Sequence, residues 1–324
     1  MRALVVKELI GPDGIGVTEM APPEAGAGEV LIDVVACGVS FPDLLISQGL
    51  YQRKSAPPYV PGVEVAGRVR SAPTGSRFKP GDRVYAGASG GGFAEVVRAL
   101  ERKTFPLPEV LSFEQGAAIL VNNQTAVFAL SLRAGFKAGE SLFSLGASGG
   151  VGTAAIQVAK GLGASRTIGL VSTADKVGPA RQAGADEVVL LEEGWRDRVI
   201  AASGGRGADI VYDPVGGDRF DDAVRCLAPA GRLIVIGFAG GGIPTVKVNR
   251  LLLRNVSVVG AAWGEWVARD PSMPVGVGRE IDRLIHAGAI RPVIGDVLPL
   301  ERGADAFRLL ADRKAVGKVV LKVA

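Results

Sequence analysis

The sequence predicts an α/β protein of two domains, a compact β-barrel unit and a six-stranded, doubly wound parallel sheet. Three observations predict it. Residues 1 to about 120 read as short strands punctuated by turns. From about residue 121 strands alternate with helices. The stretch SLFSLGASGGVGTAAIQVAKGLGA, at 141–164, gives a buried strand, a glycine turn and a helix in direct succession. A length of 324 residues, 48% of them hydrophobic and 46 of them glycine, suits a glycine-rich enzyme of two domains better than a disordered or fibrous chain.

In order, residues 29–36 form an apolar strand behind the turn AGAG, and 63–69 form another. Lys79-Pro80-Gly81-Asp82 is a turn that leads into a strand at 83–86. The strand at 142–145 then opens the alternating half, followed by strands at 167–171, 188–191, 209–213, 232–237 and 256–260. A helix around 279–287 leads to a strand at 293–298, a short helix and a last strand at 318–323. That tail is expected to return to the first domain. The expected division is 1–120 with 263–324 for the β-barrel domain and 121–262 for the doubly wound one.

The glycine turn carries the first functional expectation. Val151, Ala155, Val158 and Leu162 fall on one helical face, so a helix begins directly after the turn. Gly149 and Gly152 let backbone approach backbone, which leaves N–H groups at the helix start to hold a pyrophosphate. Glycine turns also join strands to helices for packing alone. A strand on one side and a second strand at the expected distance on the other favour a dinucleotide, gripped by Gly146, Ala147, Ser148, Gly149, Gly150, Val151 and Gly152.

Composition excludes other classes. The 37 basic residues are dispersed among 33 acidic ones, so no stripe for nucleic acid is formed. No apolar run reaches the ~18 residues needed to span a bilayer, and Lys7 and Glu8 interrupt any signal-peptide core. Two cysteines are too few for a disulfide framework, which makes a reducing cytoplasm the expected compartment.

Four motifs then appear together and in order: Ala36-Cys37-Gly38-Val39-Ser40-Phe41-Pro42-Asp43, Pro61-Gly62-Val63-Glu64, Lys79-Pro80-Gly81-Asp82-Arg83-Val84 and the LGASGGVG turn. The chain resembles the medium-chain dehydrogenases/reductases. Gly38 to Asp43 through Gly49-Leu50-Tyr51, the glycine turn and the Gly317-Lys318 strand resemble their zinc-free quinone oxidoreductase (zeta-crystallin-like) branch. The resemblance spans essentially the whole chain and implies a GroES-like catalytic domain and a Rossmann cofactor domain.

The resemblance also frames the metal question. A zinc-dependent relative would carry cysteine where Ser40 stands and histidine where Val63 stands, and the only histidine is His286, in the C-terminal helical segment. Catalytic zinc needs three protein ligands. No zinc is expected, and Cys37 and His286 read as a buried small residue and a helix-surface residue.

NADPH is the expected cofactor. The second strand of the sheet ends without a carboxylate to repel a 2′-phosphate, and Ser172 and Lys176 follow it as donor and cation. The resemblance implicates Lys176 and Arg313 in gripping that phosphate. Against these stand Asp175 nearby, Leu191 where the family often has tyrosine, and a reading of Thr173 as a mere N-cap. The resemblance places Thr125 and the loop of Gly237, Phe238 and Ala239 beside the nicotinamide; the loop reads equally as a tight turn and Phe238 as a core aromatic.

Without zinc, hydride transfer favours intrinsically electrophilic acceptors, brought close and aligned. Quinones lead, with the C=C bond of α,β-unsaturated carbonyls as the alternative and a non-enzymatic NADPH-binding protein as a third reading. The resemblance puts Tyr51 at the cleft, as proton donor, substrate hydrogen-bonder or shielding aromatic, and makes Ser40, where the branch commonly has asparagine, the second candidate catalytic residue; Leu45 stands where many members have a second tyrosine. A homodimer is expected through the strand at 256–260, by analogy with related dimers.

Overall fold

A computed structural model of the chain describes residues 1–52 and 54–324. They divide into two compact units, Met1–Val121 with Ile294–Ala324, and Asn122–Val293.

The first unit holds β1 (Arg2–Val6), β2 (Ile15–Glu19), β3 (Glu29–Val39), α1 (Phe41–Ser47), β4 (Glu64–Ser71), β5 (Arg83–Gly87), β6 (Val96–Leu100), β7 (Thr104–Pro106) and α2 (Phe113–Gly116). The second holds β8 (Ser141–Leu145), α4 (Gly150–Gly161), β9 (Arg166–Val171), α5 (Val177–Gln182), β10 (Glu187–Leu190), α6 (Trp195–Ala202), β11 (Ala208–Asp213), α7 (Phe220–Arg225), β12 (Leu227–Val235), α8 (Val248–Arg254), β13 (Ser257–Gly260), α9 (Trp263–Arg269) and α10 (Met273–His286), with α3 (Leu120–Val127) at the chain's passage between units. β14 (Ile294–Pro299), α11 (Gly303–Ala311) and β15 (Lys318–Lys322) complete the first unit.

In the first unit β15 lies between β14 and β3, with Val320 opposite Gly38 and Leu321 opposite Cys37, and the sheet continues through β4, β5 and β7. β3 alternates half-buried and buried residues through most of its length, then runs buried from Ala36 to Val39, three residues past the bound read from sequence. The final stretch is buried because β4 and β15 cover both its edges. Phe93 and Phe307 meet edge to face at 6.1 Å in the core.

The second unit is a parallel sheet in the order β10-β9-β8-β11-β12-β13. The order reverses direction between β8 and β11, the switch point where ligands bind outside the carboxyl ends of such sheets. All five residues of β8 are buried, as expected of a strand covered on both faces. β12 starts at Leu227 rather than at 232. The strand carries Ala230 at φ 62° and continues, its register against β11 shifting between Ala208 and Ile210 of that neighbour.

Residues 263–293, read from sequence as part of the first domain, belong to the second unit. The reason is packing on α4. A Cβ at Gly161 would come within 2.5 Å of Leu284 Cδ2, and Gln157 Nε2 donates to Arg291 O at 2.6 Å. Among the described residues no helix is long and apolar enough to cross a membrane.

Candidate active site

Each unit presents its own group of candidate residues. In the second, β8 ends at Leu145 and Gly146 turns the chain with φ +58°, a conformation that L side chains rarely adopt. Gly149 caps α4 in an extended conformation, and its N–H donates to Gly146 O at 3.0 Å. A Cβ on Gly152 would lie 2.3 Å from that same oxygen, so the helix approaches the strand this closely only with glycine there. Ala147 and Ser148, within the turn, are buried. The first N–H groups of α4 have no intrahelical acceptor, and the helix dipole adds partial positive charge. This cradle fits a diphosphate.

At the end of β9, Lys176 Nζ donates to Ser172 Oγ at 3.2 Å, so the structure brings together these two candidates for a phosphate. Ser172, Thr173, Ala174 and Asp175 are exposed. Thr173 occupies the N-cap of the turn at 174–176 without a side-chain capping bond. Leu191 is buried in the sheet's core. Thr125 sits half-buried on α3.

The loop after β12 is stitched to the turn after β11. Ala239 N–H donates to Pro214 O at 3.1 Å, and Gly240 N–H to Val215 O at 2.7 Å. Phe238 is 40% exposed, so it is no core aromatic.

In the first unit, Ser40 caps α1 and is buried in a charged cluster. Lys318 Nζ donates to Ser40 Oγ at 2.7 Å and pairs with Glu64 Oε1, while Ser40 Oγ donates to Glu64 at 3.1 Å. Glu64 Oε2 accepts the Val121 N–H at 3.0 Å. Ser40 N–H donates to Asp43 Oδ2 at 2.9 Å. Burial raises the Asp43 carboxyl to about 7, against the amides of Ser40 and Gly62 and the Lys318 charge. Gly38 makes room for the cluster, since a Cβ there would meet Ala117 O at 2.1 Å and Lys318 Cε at 2.6 Å. Burial, helped by Asp43 and Glu64, pushes the Cys37 thiol well up, so it is no thiolate nucleophile. Tyr51 follows α1, half-buried in a bend, and Arg313 stands at φ 58° before β15.

Sequence reasoning assigned no role to Asp43, Glu64 or Lys318. Their signal was present, since all three lie in the motifs Phe41-Pro42-Asp43, Val63-Glu64 and Gly317-Lys318. Nothing in a linear pattern says that an ammonium 278 residues away will enter the first motif.

Comparison with known proteins agrees with this architecture. Residues 26–109 match the alcohol dehydrogenase GroES-like domain and residues 150–274 the family described as zinc-binding dehydrogenase. Quinone oxidoreductase-like protein 2 of Bos taurus is 37% identical over 99% of this chain and 92% of its own length. The chain belongs to the quinone oxidoreductase family of the medium-chain dehydrogenases/reductases. Its fold is that family's, a GroES-like domain with a Rossmann cofactor domain, and membership makes it an oxidoreductase. A solved probable oxidoreductase from Mycobacterium abscessus is 44% identical, with a TM-score of 0.91 over 100% of this chain and 99% of that one. Thermus thermophilus quinone oxidoreductase, solved also with NADPH, is 35% identical with a TM-score of 0.84 over 100% of both chains. The zinc in the matched family's description finds a poor donor set in this family member. Ser40 Oγ and Glu64 Oε1 already hold an ammonium, Val63 offers no donor, and no group of three or more His, Cys, Asp or Glu able to hold a metal exists among the described residues.

Proposed function

We propose that this protein is a zinc-independent, NADPH-dependent reductase that passes hydride to quinones. The observation that carries the reading is the Lys318 ammonium seated on Ser40 and Glu64, which fills the first motif with a fixed cation. A side-chain ammonium bonded on two sides offers no open coordination position to polarise a ketone. Acceptors that are electrophilic by themselves fit such a site, and quinones head them.

NADPH, when bound, supplies two electrons and one proton as hydride; a second proton must reach the quinone to give the hydroquinone. The glycine turn at 146–152 and the N-terminus of α4 would hold the diphosphate. Ser172 and Lys176 would grip the 2′-phosphate, with Arg313 as a further cation. Thr125 and Gly237, Phe238 and Ala239 would orient the nicotinamide. Tyr51 would hydrogen-bond the acceptor, and Ser40, whose N–H donates to Asp43, would fix the start of α1.

We assign the protein to a reducing cytoplasm, in keeping with two buried free cysteines, and to a homodimer. β13 forms one edge of its sheet, and Leu252 and Leu253 on the preceding helix are 75% and 77% exposed, an apolar surface suited to a second copy.

Steady-state assays with NADPH or NADH against 1,4-benzoquinone, 9,10-phenanthrenequinone and 2-alkenals, with and without EDTA, test the reading. Quinone turnover with NADPH, unchanged by EDTA, is expected. Preference for NADH, faster alkenal reduction or loss of activity with chelator overturns the corresponding part.

A further inference from the structure

Asp213, at the carboxyl end of β11, is buried and has no part in the reading above. Its Oδ1 accepts the N–H groups of Val215 at 2.8 Å and Gly216 at 2.9 Å, and its carbonyl accepts Ile236 N–H at 2.9 Å. These bonds fold 214–217 into a turn with Gly216 at φ +63°. The turn touches the loop at 237–242 through three hydrogen bonds: Ala239 N–H to Pro214 O, Gly240 N–H to Val215 O, and Gly217 N–H to Gly242 O at 3.1 Å. On its other side it abuts the glycine turn, since a Cβ on Gly146 would lie 3.1 Å from Val215 Cγ2.

Asp213 Oδ2 has no hydrogen-bond partner among the described residues. A buried carboxyl with one idle oxygen is costly. Burial raises its pKa, and the two amides only partly pull it back. An apolar residue would pack there at lower cost, but it could not hold the amides of Val215 and Gly216. The side chain's structural effect is therefore concentrated in that turn, and through its hydrogen bonds in the loop at 237–242.

We propose that Asp213 is a positioning residue for the nicotinamide end of the cofactor, setting the loop at 237–242 through the turn at 214–217. This rests on the NADPH reading above and extends it. An acceptor oxygen is what the turn needs, so asparagine replaces aspartate and alanine does not.

Calorimetric titration of the intact protein with NADPH and with 2′,5′-ADP, which lacks the nicotinamide half, tests the inference beside thermal unfolding of each variant. Asp213→Ala is expected to weaken NADPH about tenfold, the scale of one or two lost hydrogen bonds, and to leave 2′,5′-ADP unchanged. Asp213→Asn should restore NADPH affinity. Gly216→Ala, whose Cβ would lie 3.0 Å from Phe238 Cδ1, should weaken NADPH selectively from the opposite side of the seam, and it decides the matter with Asp213→Asn if Asp213→Ala does not fold. Equal loss of both ligands, unchanged NADPH affinity in Asp213→Ala and Gly216→Ala, or failure of Asp213→Asn to restore it overturns the inference alone. Wild-type protein that binds 2′,5′-ADP but not NADPH, or neither, overturns the cofactor reading and the inference with it.

Discussion

Lys318 Nζ donates to Ser40 Oγ at 2.7 Å, joining the last strand to the cap of the first helix across 278 positions of sequence. The same ammonium pairs with Glu64, and all three side chains are buried. Removing one member of a buried pair strands the other charge away from water. Lys318→Met should therefore cost about 3–5 kcal/mol in urea unfolding, whereas Lys318→Met with Glu64→Gln should recover part of that loss. Equal stability of single and double variants would show that the pair is not coupled.

Asp43 gives this cluster a pH dependence. Its carboxyl is raised to about 7 in the folded chain, chiefly by burial, while an unfolded aspartate titrates near 3.8. The folded state thus binds the proton more tightly. Its contribution to stability is complete below pH ~4 and is lost as pH rises through about 7. The stability difference between wild type and Asp43→Asn should shift in favour of Asp43→Asn by a few kcal/mol from pH 4 to pH 8. A difference that is flat across that window contradicts the assignment.

Much of this molecule could be read from sequence, and the parts that could not share a cause. The β8–turn–α4 unit was legible because its signals are local: a continuous apolar strand, glycines where backbone meets backbone, and a helical apolar face. The Rossmann sheet followed from repeating that pattern. The placement of 263–293 was not legible, because it depends on Leu284 and Arg291 meeting Gly161 and Gln157 on a helix far earlier in the chain. The ionic cluster around Ser40 was hidden for the same reason. Ser40 alone suggests a polar group in a pocket, and only Lys318 and Glu64 reveal that its hydroxyl is already committed.

Gly152 tests the cradle. With a Cβ 2.3 Å from the Gly146 carbonyl oxygen, Gly152→Ala must push α4 off β8. Overpacking of this kind costs about 1–3 kcal/mol, a drop of several degrees in Tm. NADPH affinity should fall with it, because the amides at the start of α4 move away from the turn. Gly178→Ala, which meets nothing within 4 Å in α5, is the control and should leave NADPH affinity unchanged and Tm unchanged or slightly raised.

Lys176 tests cofactor choice. Its ammonium lies at Ser172 Oγ, at the end of β9, and the 2′-phosphate is the feature that distinguishes NADPH from NADH. Lys176→Ala should raise the KM for NADPH about tenfold and leave that for NADH unchanged, so the two cofactors converge. A parallel loss with both would place Lys176 in general folding instead.

Tyr51→Phe tests how the second proton reaches the acceptor. General acid catalysis by a positioned side chain is worth about 10²–10⁴-fold, so Tyr51→Phe should lower kcat by at least that lower bound if its hydroxyl supplies the proton. A hydroxyl that only orients the acceptor gives a different signature, a raised KM for quinone with kcat nearly intact. Tyr51 is half-buried in a bend, and water can itself protonate a developing hydroquinone anion. The orienting role is therefore the expected one. Tyr51→Phe should raise the quinone KM several-fold and leave kcat within about twofold, on the scale of one neutral hydrogen bond. A hundredfold fall in kcat, measured with 1,4-benzoquinone at saturating NADPH, would reverse that assignment and make Tyr51 the acid.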